Sequence, residues 1–307
     1  MTLRYRGYLS EMSPEDLYAT GSWITFRGKP MFIGGVKRKR RPKKPKQPVG
    51  KTVTFKKKDG STGTKLTYPK SWVKKQSKFK FAVMVSLAKN VDRIERMLTL
   101  ESGRKKKDQK KAAATALKLM LLTGMRVRGG STKGEKTYGA TTLERRHVKI
   151  ENGKATFNYK GKDGVEQNHS TDNPELITAV KVFMDGRDSS PDDNTPLFTF
   201  KVDRKTTNVL TRAHVAKRIK KFDPDYKPKD LRTLRANTVA SDELATMLNE
   251  PRNIPANAKE KKKFVKGVIK RIAEKVSNAL GNTADVAKKH YINPFLMETA
   301  LAEMGLS

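Results

Sequence analysis

Near the end of the chain, "GNTADVAKKHYINP" (281–294) sets one tyrosine, Tyr291, a short helix away from a Gly-Asn-Thr turn. A phenol with a pKa near 10 is a weak nucleophile at neutral pH unless cationic neighbours help it ionise. In an attack on a phosphodiester, charge builds on the non-bridging oxygens, and planar guanidinium groups suit that geometry. Two arginines occur in ordered contexts: Arg126 in "LLTGMRVRGG", directly after an apolar helix, and Arg232 in "KPKDLRTLRAN", at a helix start. Lys162, in "FNYKGKDGV", stands at a hairpin tip from which it could reach a leaving-group oxygen. Each residue also has a plainer reading. Among 67 basic residues any single Arg or Lys can be a surface charge, and a lysine beside an Asp-Gly turn is well placed to be solvated. Tyr291 can cap the core, and Asn282 can cap the next helix.

The elements that must position these residues are read from period and punctuation. "GSWITFRGKPMFIGG" reads as a small hairpin, and "KTVTFKKKDGSTGTKLTYP" (51–69) as another, turning at Asp59-Gly60. Between them "KRKRRPKKPK" (37–46) is a Pro-broken basic run expected not to pack. Helical spacing starts near residue 76, with Phe79, Phe81, Val83, Leu87, Val91, Ile94 and Leu98. It continues in "DQKKAAATALKLMLLTG" (108–124), which ends at a glycine cap. Residues 147–168 switch to three short strands joined at Asn152-Gly153 and Asp163-Gly164. Helices resume at 174–184 and 229–248. Phe264, Val265, Val268, Ile269, Ile272, Val276 and Leu280 then form an apolar stripe on a Lys-rich helix that Gly281 ends. The expected class is α+β: a mainly helical domain with a small three-stranded antiparallel sheet, preceded by a small β-rich basic region. The expected division is 1–36, a hairpin-like segment; 37–50, a basic arm; 51–75, a hairpin-like contact region; and 76–307, the catalytic-sized unit.

Composition narrows the partners. A formal charge of +36 costs self-repulsion that a polyanion would relieve. Nucleic acid is the first candidate, through counterion release, and an anionic membrane surface the rival. No run of about 18 apolar residues stands out, and no charged-then-apolar leader opens the chain, so a soluble, non-secreted protein is expected. Without cysteine there is no disulfide, thiolate metal site or cysteine nucleophile, and the four histidines lack metal-ligand spacing. "GGSTKGEKT" (129–137) is a near miss for a phosphate loop, because Glu135 follows Gly134 where lysine is needed.

Four segments occur in the order found in type IB DNA topoisomerases: "KTYGATTLERRHVKI" (136–150), "FNYKGKDGV" (157–165), "KDLRT" (229–233) and "LGNTADVAKKHYINP" (280–294). "SWVKKQSKFKFAVMVSLAKNVDRIERML" resembles the stretch leading into that catalytic domain, so the resemblance covers about 71–300 and looks most like the short bacterial and viral members. It implies that Tyr291 is the nucleophile forming a 3′-phosphotyrosyl link. Arg232 would be the second phosphate-clamping arginine and Lys162 the acid for the departing 5′ oxygen. The first arginine of the family is followed by one residue and glycine, whereas this chain reads "MRVRGG"; Arg126 is favoured and Arg128 is the alternative. Asn282 stands where many members carry a phosphate-binding histidine. DNA contacts are expected from Lys37, Arg38, Lys39, Arg40, Arg41, Lys160, Lys229, Lys288 and Lys289. Residues 1–50 do not match the family's first domain.

The implied activity is relaxation of duplex DNA by a monomer, cytoplasmic, nucleoid-associated or viral and not secreted, with no cofactor and no metal, since bond energy is conserved in the phosphotyrosine. The rivals are a tyrosine recombinase, disfavoured because "KDLRT" lacks the His-x-x-Arg box, and a non-catalytic DNA-packaging protein.

Overall fold

The computed structural model describes residues 23–26, 29–32, 42–56, 60–132, 134–185, 193–203, 205–251 and 254–304. Two antiparallel hairpins come first, β1 (Trp23–Phe26) with β2 (Lys29–Phe32) and β3 (Lys51–Lys56) with β4 (Thr62–Thr67). At Pro45 and Lys46 the basic run departs from the expectation that it does not pack, although Lys43, Lys44 and Lys46 are exposed. Trp72 Nε1 donates to Lys46 O at 2.7 Å and Gln76 Nε2 to Pro45 O at 3.5 Å, fastening the run to the first helix. Lys37, Arg38, Lys39, Arg40 and Arg41 lie outside the described residues.

The stripe over 79–98 forms two helices, α1 (Lys70–Lys89) and α2 (Val91–Ser102), because Asn90 leaves helical geometry between them. Next, α3 (Gln109–Thr123) starts on Asp108, whose carboxylate accepts from Lys111 N at 2.8 Å. Its run of small alanines lets neighbouring elements approach on all sides, and most of the helix is buried. It ends at Gly124 in the left-handed region (φ 72°), where a side chain would also strike Leu280 at 2.8 Å.

A two-residue ribbon, β5 (Ser131–Thr132) with β6 (Glu135–Lys136), leads to the meander β7 (Val148–Glu151), β8 (Lys154–Lys160) and β9 (Glu166–Thr171). Its turns fall on Asn152-Gly153 and Asp163-Gly164, all four residues with positive φ. There follow α4 (Pro174–Phe183), the hairpin β10 (Thr199–Lys201) with β11 (Thr207–Val209), and α5 (Arg212–Ile219). The chain closes with α6 (Pro228–Asn249), α7 (Ala258–Leu280), α8 (Ala284–His290) and α9 (Pro294–Glu303). No described helix is long and apolar enough to cross a membrane.

Two apolar clusters hold these elements. The first joins α1–α5 to the sheet and takes in Leu231 and Leu234 of α6; the second joins the rest of α6, from Ala236, to α7, α8 and α9. Helix α6 therefore spans the seam, and Arg232 enters it on the first turns. Within the first cluster, Glu101 of α2 and Arg218 of α5 form a buried two-pronged pair, both bonds at 2.6 Å. Removing one partner of such a pair strands the other's charge. Arg218→Leu is expected to cost about 3 kcal/mol in urea unfolding, with Lys110, 3.2 Å from Glu101, the remaining cation at that carboxylate.

Candidate active site

Helix α7 ends at Gly281 in the left-handed region (φ 57°), and Asn282 N closes the turn on Ser277 O at 3.1 Å. The cap of α8 falls to Thr283, whose hydroxyl accepts from Val286 N at 3.3 Å. Asn282 is therefore not the cap; its Oδ1 and Nδ2 are both buried without a partner. Tyr291 follows the last turn of α8, with its N–H on Ala287 O at 3.0 Å. The buried Ile292 and Asn293 on its C-terminal side anchor it.

Asn237 of α6, fully buried, grips both sides of this point. Its Nδ2 donates to Tyr291 O at 2.9 Å, and its Oδ1 accepts from Asn293 N at 2.8 Å. One turn earlier on α6, Arg232 places its guanidinium 5.2 Å from the Tyr291 ring centre. Only 2% of Arg232 is exposed, and it donates to Gly124 O at 2.7 Å and Leu280 O at 2.6 Å. Those carbonyls end α3 and α7, where unpaired C=O groups and the helix dipoles favour a cation. Its Nε remains buried without a partner, and no carboxylate is among the charges acting on it. Burial lowers its pKa, the Tyr291 phenol opposes the shift, and Arg126 adds to it.

Arg126, half-buried, follows the Gly124 cap, and its carbonyl accepts from Ala140 N at 2.8 Å. Its charge acts on both Arg232 and Tyr159, whereas Arg128 is exposed and turns its Nε onto Gly129 O at 3.0 Å. Of the two candidates, Arg126 is the one whose charge acts on Arg232 and Tyr159. Lys162 stands exposed on the β8–β9 turn, 3.3 Å from Asp163. That hairpin is fastened by Gln167 of β9, whose amide donates to Gly281 O at 3.0 Å and packs on Gly161. One glutamine thus ties the Lys162 loop to the Asn282 turn.

Sequence reasoning missed Gln167, Asn237, Tyr159 and His169. A readable signal existed for two of them: β9 alternates, and its inward positions are the polar Gln167, His169 and Thr171. Tyr159 is buried, which pushes its hydroxyl well above the usual tyrosine range despite Arg232 and Arg126. His169 stacks on it, with ring centres 6.0 Å apart. Burial, reinforced by Arg232 and Arg235, holds His169 down at about 4, so it is neutral at pH 7.

The remaining basic candidates among the described residues are exposed. Lys160 lies 3.4 Å from Glu135 and Lys289 is 2.7 Å from Asp285, while Lys229 and Lys288 face solvent. At the start of α6, burial together with Lys229 lowers the pKa of Lys227; Asp230 opposes the shift and Lys44 of the extended run adds to it. Like charges crowded around the positive end of a helix make an anion-attracting edge. No group of His, Asp or Glu suited to holding a metal ion occurs among the described residues.

Residues 70–302 match the eukaryotic DNA topoisomerase I catalytic core. DNA topoisomerase 1B of Acanthamoeba polyphaga mimivirus is 24% identical over 229 residues, 72% of this chain and 64% of the relative, so the chain spans less than two thirds of that protein. Two solved structures of the XerH site-specific recombinase also align. The pre-cleavage complex with difH has a TM-score of 0.35 at 20% identity, covering 67% of this chain and 51% of the other. The post-cleavage complex with palindromic difH has a TM-score of 0.36 at 21% identity, covering 67% and 50%.

The division of labour at 282–283 is testable without DNA. Thr283→Ala is expected to lose about 1 kcal/mol of stability in urea unfolding, as a removed cap does. Asn282→Ala, which deletes two unsatisfied polar atoms, should leave stability unchanged or slightly raised.

Proposed function

The chain belongs to the eukaryotic DNA topoisomerase I catalytic-core family, and on that premise we propose that it relaxes supercoiled duplex DNA through a transient 3′-phosphotyrosyl link. The observation that carries this reading is the buried Arg232: a cation held by two helix ends, with no carboxylate partner and a spare N–H, beside the Tyr291 ring. An uncompensated charge kept in such a place calls for an anion.

In the proposed reaction the Tyr291 oxygen attacks the scissile phosphorus and gives up its proton to solvent water. The P–O bond to the 5′ oxygen breaks, and Lys162 protonates that oxygen as it leaves. Arg232 and Arg126 donate to the non-bridging oxygens, where charge is greatest in the transition state. The Asn282 amide, unpartnered at the end of α7, adds an uncharged hydrogen bond. The neutral Tyr159–His169 layer supports the arginines without supplying a competing carboxylate. After the duplex swivels, the free 5′ hydroxyl attacks the phosphotyrosine and reverses the step, so no net bond energy is consumed.

Binding comes from phosphate contacts by Lys229, Lys160, Lys288 and Lys289, with the crowded Lys44–Lys227 edge beside them, and falls steeply with salt. The β3–β4 hairpin and residues 42–50 before it would close over the duplex as a clamp, and the enzyme would act as a monomer.

The test is relaxation of negatively supercoiled plasmid in EDTA without ATP. Wild type is expected to relax it. Tyr291→Phe is expected to be inactive while binding the plasmid within about threefold of wild type, because phosphates dominate affinity. Relaxation by Tyr291→Phe would remove Tyr291 from the mechanism. Binding without relaxation by wild type would favour a site-specific recombinase or a packaging protein.

A further inference from the structure

Two peptide groups flank the Tyr291 side chain, and a side chain from a different helix holds each. Asn237 of α6 takes the Tyr291 carbonyl. The preceding carbonyl, His290 O, accepts from Lys80 Nζ of α1 at 2.7 Å, across 210 residues of sequence. His290 is the last residue of α8, so its carbonyl has no partner within the helix and lies at the negative end of the dipole.

Lys80 is half-buried among charges that do not all welcome it. Lys229 and Asp230 face it from α6, and His290 belongs to the helix it caps. Burial, with Lys229 adding to it, pulls its ammonium down to about 8 against the opposing Asp230. A lysine with a flexible stem ordinarily swings its head to water; this one stays on a main-chain oxygen. With only seven residues, α8 is too short to fix its own orientation, which outside contacts must therefore supply.

We propose that Lys80 is a positioning residue for strand cleavage: it clamps the end of α8 so that Tyr291 meets the phosphate beside Arg232 in attacking register. Lys80 does not touch the reacting atoms. The inference rests on the reading of Tyr291 as nucleophile. A misplacement of about 1 Å at a reacting atom can cost 100-fold in rate, so one clamp has leverage.

The test measures adduct formation in a single turnover at saturating duplex, using the full chain. Lys80→Met is expected to slow it about tenfold, as loss of a charged hydrogen bond does, while plasmid affinity stays within about threefold. Lys80→Arg, which can keep a charged donor on the carbonyl, should recover most of the rate. Lys80→Gln, an uncharged donor, replaces Lys80→Met if the latter melts.

A second substrate carries sulfur in place of the bridging 5′ oxygen, so the leaving group departs without needing a proton. Lys162→Ala should recover on it and Lys80→Met should stay slow. Wild-type cleavage by Lys80→Met, with Tyr291→Phe inactive, would overturn the proposal. So would recovery of Lys80→Met on the sulfur substrate, which would place Lys80 at the leaving group, or a loss confined to affinity, which would make it a phosphate contact. Adduct formation by Tyr291→Phe would instead overturn the reading of Tyr291.

Discussion

A guanidinium with 2% exposure, bonded to the last carbonyls of two helices, is the constraint on which the rest of this structure depends. Arg232 draws together Gly124 and Leu280, which lie 108 and 48 residues away in sequence. It can do so only because α3 and α7 both end on glycines in the left-handed region, with Gly124 packed against Leu280. It lies on the helix that spans the two apolar clusters, so the cation is fixed by both. Each carbonyl takes one arm of the fork, and Nε is buried without a partner. The fold thus keeps a desolvated positive charge with no carboxylate among the charges acting on it.

The proposed nucleophile is handled differently. Tyr291 follows a short helix, and its place is set by contacts at its own main chain: Ala287 from within α8, Asn237 from α6 and Lys80 from α1. The hairpin bearing Lys162 is tied to the same turn by Gln167. Three elements far apart in sequence therefore converge on residues 280–293, and the groups expected to act are aligned by main-chain bonds more than by contacts among themselves. Preorganisation of this kind limits the rearrangement left for the reaction.

What the sequence made legible was local. The glycine ends of α3 and α7, the Asn-Gly and Asp-Gly turns of the meander and the apolar stripe of α7 are set by neighbours in the chain, and each lies where the pattern placed it. Helix α5 escaped notice because its buried face includes Arg218, a charged residue whose partner Glu101 is 117 residues away. Helix α9 and the β10–β11 hairpin gave too little period to read. At the site, resemblance picked out Tyr291 and Arg232, since spacing alone could not separate them from surface residues. It could not assign the cap between Asn282 and Thr283, a choice made by backbone direction after Gly281. Asn237 and Gln167 stayed hidden because their partners are main-chain groups, which carry no side-chain signature.

The most direct test is to trap the covalent complex on duplex DNA, digest the protein and identify the peptide joined to nucleotide. The expected result is one modified peptide, with Tyr291 esterified to a 3′ phosphate. Attachment at another tyrosine such as Tyr159, or through a 5′ phosphate, would contradict it.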